Sequence, residues 1–218
     1  MVVMALGTET RTKIPASQRA PGRPRGFEAD AVLDAALELF WKHGYRTTTT
    51  RDLESALGLS QSSLYNTFGS KKDLLEAALD RYEAMTDREL LRPMEQSSAG
   101  LAAIDTFFVD LGHWVTHEGR RGCMLINMMA EDGGETDAIT IRARIYRTRV
   151  RDALRASVAR AIAEGETRDI DADDCADLLL GLVLGLNIAA RGGASDTELA
   201  TLMDAIHAQV SGWRVAPS

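Results

Sequence analysis

The stretch Gly44–Lys71, GYRTTTTRDLESALGLSQSSLYNTFGSK, predicts two short helices joined by a tight turn. Leu53, Ala56 and Leu57 recur at i, i+3 and i+4, which gives the first helix one apolar stripe. The threonines at 47–50 can supply the oxygen that caps the first turn of this helix. The segment therefore begins with a short amphipathic helix.

The turn and the second helix follow directly. Gly58 suits the left-handed conformation that ends a helix, and Ser60 is placed to cap the next one. Leu64 and Phe68 point inward at i, i+4 in the second helix. The other side chains on or near its outer face are short, uncharged donors and acceptors: Gln61, Ser62, Ser63, Tyr65, Asn66 and Thr67. Because no acid lies between Gln61 and Lys72, this face can approach base edges and phosphates without charge repulsion.

Helical spacing alone is equally compatible with an ordinary helical hairpin that has a polar outside. The runs TTTRDL, ALGLS and SLYNTFGSK, followed by a leucine-rich helix, closely resemble the DNA-binding domain of the tetracycline-repressor (TetR) family. The resemblance covers roughly residues 22–79 and is weak beyond residue 90. It implies a helix-turn-helix domain that binds DNA.

In that family the start of the first short helix and the whole second helix contact DNA, with a tyrosine and a lysine holding phosphates. The resemblance therefore implies contacts from Thr49, Thr50, Arg51, Gln61, Ser62, Ser63, Tyr65, Asn66, Thr67 and Lys71. Many members have a histidine where Thr67 stands, so a contact from this position would be shorter or absent.

Charge is distributed unevenly along the chain, although its formal net charge is −7. Residues 1–72 hold 10 Lys and Arg against 7 Asp and Glu, whereas residues 73–218 hold 15 against 25. An acidic body with a basic end directs DNA to one face. Residues 1–26 are predicted to be a disordered basic arm. Arg23 and Arg25 in this arm could bind a minor groove or phosphates, or the arm could be a solvated tail without a role.

The remaining sequence has helical periodicity throughout and no strand pattern, so the predicted fold is all-α. A DNA-binding domain is expected over residues 27–80 and a helical ligand-binding and dimerisation domain over 81–218. The first helix starts at Phe27. A fourth helix is expected to run from Ser70 to Pro93, out of the first domain and into the second, where a shift at its far end would move the DNA-binding helices.

The last two helices predict a homodimer. Between Leu178 and Ala190 the first of them is apolar nearly all round, with Gly181 and Gly185 positioned for close approach of another helix. The final helix offers a second apolar stripe, made of Leu199, Leu202, Met203, Ile206, Val210 and Trp213. Two copies of this pair would form a four-helix bundle; the alternative is a buried hairpin within one subunit.

A pocket for a small-molecule inducer is expected among the middle helices, where the resemblance places it. Its candidate lining residues are Phe107, Phe108, Trp114, Cys123, Met124, Asn127, Met128, Tyr146 and Asn187. Taken individually, most of these side chains are better explained as plain core. The two asparagines carry the argument, because an amide in an apolar surround needs a partner and a ligand can provide it.

Cys123 follows Arg120 and Arg121 at a predicted helix start, where cations and the helix dipole would lower its pKa. Since thiol sensing occurs in the wider TetR family, an electrophile or oxidant is a second inducer hypothesis; an inert buried cysteine is the alternative.

His113 and His117 at i, i+4 could hold a metal ion, but no further ligand spacing accompanies them. No catalytic motif is present, so neither an enzyme nor a cofactor is expected. Two cysteines and no membrane span fit the cytoplasm.

These observations predict a homodimeric, ligand-responsive transcriptional regulator, most often a repressor in this family, that binds a palindromic DNA operator. The alternatives are a helical ligand-binding protein that does not use DNA, an activator of the same family, and an enzyme with Cys123 as nucleophile.

Overall fold

A computed structural model describes residues 25–116, 122–132 and 137–215. The described residues form ten α-helices and no strand, with one isolated bridge between Thr167 and Arg214. This confirms the all-α prediction. The helices are α1 (Arg25–His43), α2 (Thr50–Leu57), α3 (Gln61–Phe68), α4 (Lys71–Thr86), α5 (Arg92–Gln96), α6 (Leu101–Thr116), α7 (Met124–Asp132), α8 (Asp137–Ala163), α9 (Ala172–Arg191) and α10 (Asp196–Ser211).

Two hydrophobic cores divide the described residues. The first joins α1–α4 to α7 and the beginning of α8, and the second joins α5, α6, the rest of α8, α9 and α10. We call these parts the head and the body. Trp114 and Tyr146 pack against both cores. The side chains of these two residues therefore connect the head to the body.

Helix α1 braces the head as the apolar spacing predicts. Ala36, Leu37 and Phe40 are buried and the helix packs along α4. It begins at Arg25 rather than at Phe27, so the predicted arm loses its last two residues to this helix.

The predicted long fourth helix is interrupted. A π-helical turn, Asp87–Leu91, separates α4 from α5, because Pro93 at the start of α5 lacks the N–H needed to continue the α-helical ladder. Arg149 of α8 fixes this turn through ion pairs to Asp87 at 2.6 Å and to Glu95 at 2.7 Å. The backbone still passes from head to body without a loop.

The packing of α10 corrects the predicted dimer surface. Four residues of its predicted stripe are buried within the same subunit: Leu199, Ile206, Val210 and Trp213. These side chains are covered within the subunit because α10 packs on α6, so they are not available to a second copy. Only Leu202, 41% exposed, remains a large apolar side chain on the outside of α10. On α8, Ile162 is also a large apolar side chain that is exposed.

Helix α9 has one buried and one exposed apolar face. Its buried face packs mainly against α8. Leu178 and Ile188 on the other face are 46% and 62% exposed, and Gly181 and Gly185 between them have open space where a side chain would stand. The described part of the chain contains no helix that is both long and apolar enough to cross a membrane.

Candidate nucleic-acid interface and internal pocket

A capping box fixes the start of α2. The Thr49 backbone N–H and hydroxyl each donate to the Asp52 carboxylate at 2.7 Å, and the Asp52 N–H donates back to the Thr49 hydroxyl at 3.2 Å. These hydrogen bonds lower the pKa of Asp52. Just before the cap, the buried Thr48 donates to the Gly44 carbonyl at 2.6 Å. Thr49 is therefore the N-cap of α2, and Thr48 fixes the backbone just before it.

The turn between α2 and α3 has the predicted geometry. Gly58 is left-handed at φ +63°, and Ser60 accepts a hydrogen bond from the Ser63 N–H. A further contact was not predicted: Glu54 of α2 accepts from the Gln61 N–H at 2.7 Å. This carboxylate satisfies a donor that would otherwise be unpaired at the start of α3.

A side-chain contact fixes α3 against α2. Leu64 is fully buried, and the Tyr65 hydroxyl lies 3.1 Å from the Thr50 hydroxyl. Both Tyr65 and Thr50 are half-buried. These two residues therefore help to hold the helix pair as one unit.

The outward face of α3 consists of exposed polar side chains. It is formed by Gln61, Ser62, Ser63, Asn66 and Thr67, and we call it the α3 face. The Thr67 hydroxyl donates to the Ser63 carbonyl of its own helix at 3.0 Å, which shortens its reach. Thr49 and Arg51 are also exposed, at the start of α2.

Lys71 lies at the start of α4 and already has a partner. Its ammonium donates to the Tyr45 carbonyl at 2.6 Å and stands 4.3 Å above the Tyr45 ring. Partial burial lowers the pKa of Lys71, while Asp52 opposes this effect. Because an ammonium has three donors, two remain for another acceptor.

The structure does not test the two DNA contacts predicted for the arm. Arg23 lies outside the described residues, and Arg25 begins α1 without a described side chain.

Comparison with known proteins assigns the family. Residues 32–78 match the family described as "Bacterial regulatory proteins, tetR family", and residues 100–206 match "Tetracyclin repressor-like, C-terminal domain". The chain is also 32% identical over 190 residues to the HTH-type transcriptional repressor ComR of Escherichia coli (strain K12), covering 84% of this chain and 88% of ComR. The chain belongs to the TetR family. It is therefore a transcriptional regulator with a helix-turn-helix DNA-binding domain.

Solved TetR-family structures share the fold. A regulator from Chloroflexus aurantiacus superposes with a TM-score of 0.77 at 24% identity, covering 88% of this chain and 98% of that one. A cysteine mutant of CifR in complex with 26-base-pair operator DNA superposes with a TM-score of 0.74 at 23% identity, covering 88% of this chain and 100% of CifR.

An internal pocket lies where the head of this TetR-family chain meets the body. It is lined by side chains from α4, the π-turn, α6, α7, α8 and α9 and by Cys123 just before α7. Five of the predicted ligand residues line it: Phe107, Trp114, Cys123, Tyr146 and Asn187. The pocket has a volume of about 10 Å³, which is about the space of one water-sized sphere.

The other four predicted ligand residues do not line this pocket. Phe108 is fully buried in the body core, and Met124 and Met128 are buried in the head core. Asn127 is half-buried on α7 and lies outside the pocket lining. The Asn187 amide donates to the Val183 carbonyl of its own helix at 2.8 Å, so α9 satisfies one of its donors.

The environment of Cys123 differs from the prediction. Burial raises the pKa of its thiol, although a hydrogen bond with Tyr82 opposes this effect. The expected cations at 120 and 121 lie outside the described residues. The low-pKa prediction for Cys123 is therefore wrong. A thiol that stays protonated is also a poor nucleophile.

No group of His, Cys, Asp and Glu in the described ranges is suited to hold a metal ion. His113 is exposed on α6, and His117 lies outside these ranges.

Proposed function

We propose that the protein is a homodimeric transcriptional repressor that binds a palindromic operator and is released by a small molecule. The α3 face carries this proposal. Its polar side chains are exposed, uncharged and held on a helix that is capped at its start and locked to α2. The relative ComR is named as a repressor, and the CifR mutant structure contains operator DNA.

Base readout is assigned to the longer amides of the α3 face. Gln61 and Asn66 are exposed, and such side chains pair with adenine edges in a major groove. The hydroxyls of Ser62, Ser63 and Thr67 suit bases or phosphates. The phosphate contacts are assigned to Thr49, Thr50, Arg51, Tyr65 and Lys71.

The dimer surface is assigned to the exposed face of α9. Leu178, Gly181, Gly185 and Ile188 lie along one side of this helix with open space around both glycines. A second copy of the face would cover Leu178 and Ile188 and let the helices approach closely. Leu202 of α10 would border this contact. Two α3 helices would then enter successive major grooves, about 34–36 Å apart.

Release is assigned to the internal pocket. It touches both cores through Trp114 and Tyr146, and Trp114 lies 5.8 Å from Trp41 of α1 between ring centroids. A ligand that fits only a widened pocket would stabilise a conformer with different spacing of the two heads. Its differential affinity for the two conformers would shift the population away from DNA.

A gel-shift assay with the DNA flanking its own gene tests the proposal. The parent protein is expected to retard this DNA, and Gln61→Ala with Asn66→Ala is expected to abolish specific retardation. Gln209→Ala, at an exposed position of α10, is the control and should bind as the parent does. Equal retardation by all three proteins would refute the assigned readout, and a reporter gene would distinguish repression from activation.

A further inference from the structure

We propose that the internal pocket selects an organic anion, a carboxylic acid with an apolar or aromatic body, and that Arg147 of α8 is the residue that recognises its carboxylate. This inference deepens the proposed function and rests on it. The charge of Arg147 in the pocket lining indicates the chemical class of the inducer.

Arg147 differs from the other arginines of its helix that border α4 and α5. Arg142 pairs with Asp80 at 2.7 Å and Glu83 at 2.9 Å, and Arg149 pairs with two carboxylates at the π-turn and α5. Arg147 lines the internal pocket instead. Its Nε is buried and has no hydrogen-bond acceptor among the described residues.

A buried guanidinium nitrogen without an acceptor is costly, because it has lost water without gaining a partner. The pocket lining contains no Asp or Glu, so the protein's lining does not supply the missing charge. A ligand carboxylate supplies both an acceptor and a negative charge. It also matches the planar fork of a guanidinium, which binds carboxylates through two parallel hydrogen bonds.

The rest of the pocket suits an apolar body. Besides Arg147, the lining is aliphatic or aromatic apart from the hydroxyls of Tyr82 and Tyr146, the Cys123 thiol and the Asn187 amide. Phe107 and Trp114 offer ring faces. This lining favours an acid whose remaining atoms are hydrophobic. A sugar or a free phosphate would bury several hydroxyls or oxygens for which the lining has too few hydrogen-bond partners.

The small volume of the pocket links this ligand to release. At about 10 Å³ the pocket admits no organic acid, so binding must separate the side chains that close it. Trp114 and Tyr146 are among them and contact both cores. The attraction of Arg147 for a carboxylate therefore provides free energy for moving the head relative to the body.

Calorimetric titration of the full chain with benzoate, 2-naphthoate and octanoate, each against its own neutral amide, tests the inference. At least one acid is expected to bind about tenfold or more tightly than its amide, as a hydrogen-bonded charge pair requires. Arg147→Gln should reduce that acid to the affinity of the amide. Arg147→Lys should retain part of the preference, because the charge remains without the fork.

Arg144→Gln is the matched control, since Arg144 is exposed one turn earlier on α8 and should keep the preference. Circular dichroism verifies that each variant is folded. If no acid outperforms its amide, or if Arg147→Gln keeps the parent's preference, the inference is overturned. A gel shift on the same samples separates the two proposals, because intact DNA binding without acid selectivity contradicts only the ligand class.

Discussion

The indole N–H of Trp41 donates to the carbonyl of Gly122 at 3.0 Å, across 81 residues of sequence. This contact joins the end of α1 to the residue that precedes Cys123 and α7. On its other side, Gly122 lies against α9: a Cβ built on it would stand 2.5 Å from the Asn187 carbonyl oxygen. Arg191, at the end of α9, donates to the carbonyls of Trp41 and Lys42. The head and body therefore meet through backbone atoms as well as through side chains.

Replacing Gly122 with alanine is expected to destabilise this junction. Gly122 has φ +65°, a conformation that costs a residue with a Cβ about 1–2 kcal/mol, and the Asn187 backbone oxygen cannot move away cheaply. We expect this crowding to add about 1–3 kcal/mol to the loss. Urea denaturation measures both terms together as a change in the free energy of unfolding.

Gly165→Ala is the control for that experiment. Gly165 has φ +71° but nothing within 4 Å of its added Cβ, so it reports the conformational cost alone. Equal losses at positions 122 and 165 would show that the close approach to Asn187 does not constrain the junction.

Lys71→Ala is expected to weaken binding to every DNA sequence alike. The loss of one phosphate contact should lower the salt-dependence slope by about 1. Fluorescence anisotropy over a range of salt concentrations gives the slope. Lys72→Ala is the control, because the neighbouring Lys72 is exposed and lies 3.9 Å from Glu76. If the two variants have the same affinity and slope, the phosphate contact assigned to Lys71 is mistaken.

Asp73 makes the cap of α4 sensitive to acid. Hydrogen bonds from the Ser70 hydroxyl and N–H, both 2.7 Å, lower its pKa. Because the folded-state pKa is depressed, the stabilisation is present above the unfolded pKa of about 3.9 and is lost as pH falls through the folded pKa. Asp73→Asn should therefore melt below the parent at neutral pH, and the difference should shrink in acid.

Thermal melts at about pH 7 and about pH 2.5 check this prediction. Asp204→Asn, at an exposed position of α10, should follow the parent at both values. A difference between Asp73→Asn and the parent that is unchanged in acid would contradict the role of the carboxylate.

Ile188→Glu should convert the proposed dimer to a monomer. Ile188 is 62% exposed in one subunit, so a charge there is tolerated by the monomer but would be buried without a partner in the α9 contact. Sedimentation velocity at micromolar concentration measures the mass. Ile162→Glu, at another exposed apolar position, should leave the mass unchanged. A dimeric Ile188→Glu protein would exclude this face.

The local features of the helix pair could be predicted from sequence because they depend on neighbours along the chain. The cap at Ser60 and the left-handed Gly58 are confirmed. Ala56 is exposed, although the stripe placed it inward; α2 packs on the head core through the buried Leu53 and the half-buried Leu57 instead. The Glu54 contact to the Gln61 N–H could not be predicted, since it depends on how the two helices cross.

Features that depend on tertiary packing were harder to predict. Four of the six residues in the predicted α10 stripe are buried and Leu202 is exposed, because periodicity does not say whether the same subunit or a second one covers a stripe. The raised pKa of Cys123 follows from its burial, which its position in the sequence did not reveal. Arg147 gave no signal among many arginines, because only the fold separates it from the acids that pair with Arg142 and Arg149.

Selection of bound duplexes from random DNA tests most directly the claim that two copies of the α3 face read one operator. The account predicts inverted half-sites with centres about 10 base pairs apart, and Asn66→Ala should change the preferred base at the same position of both half-sites. Enrichment of a single unrepeated site, or of no sequence at low ionic strength, would contradict it.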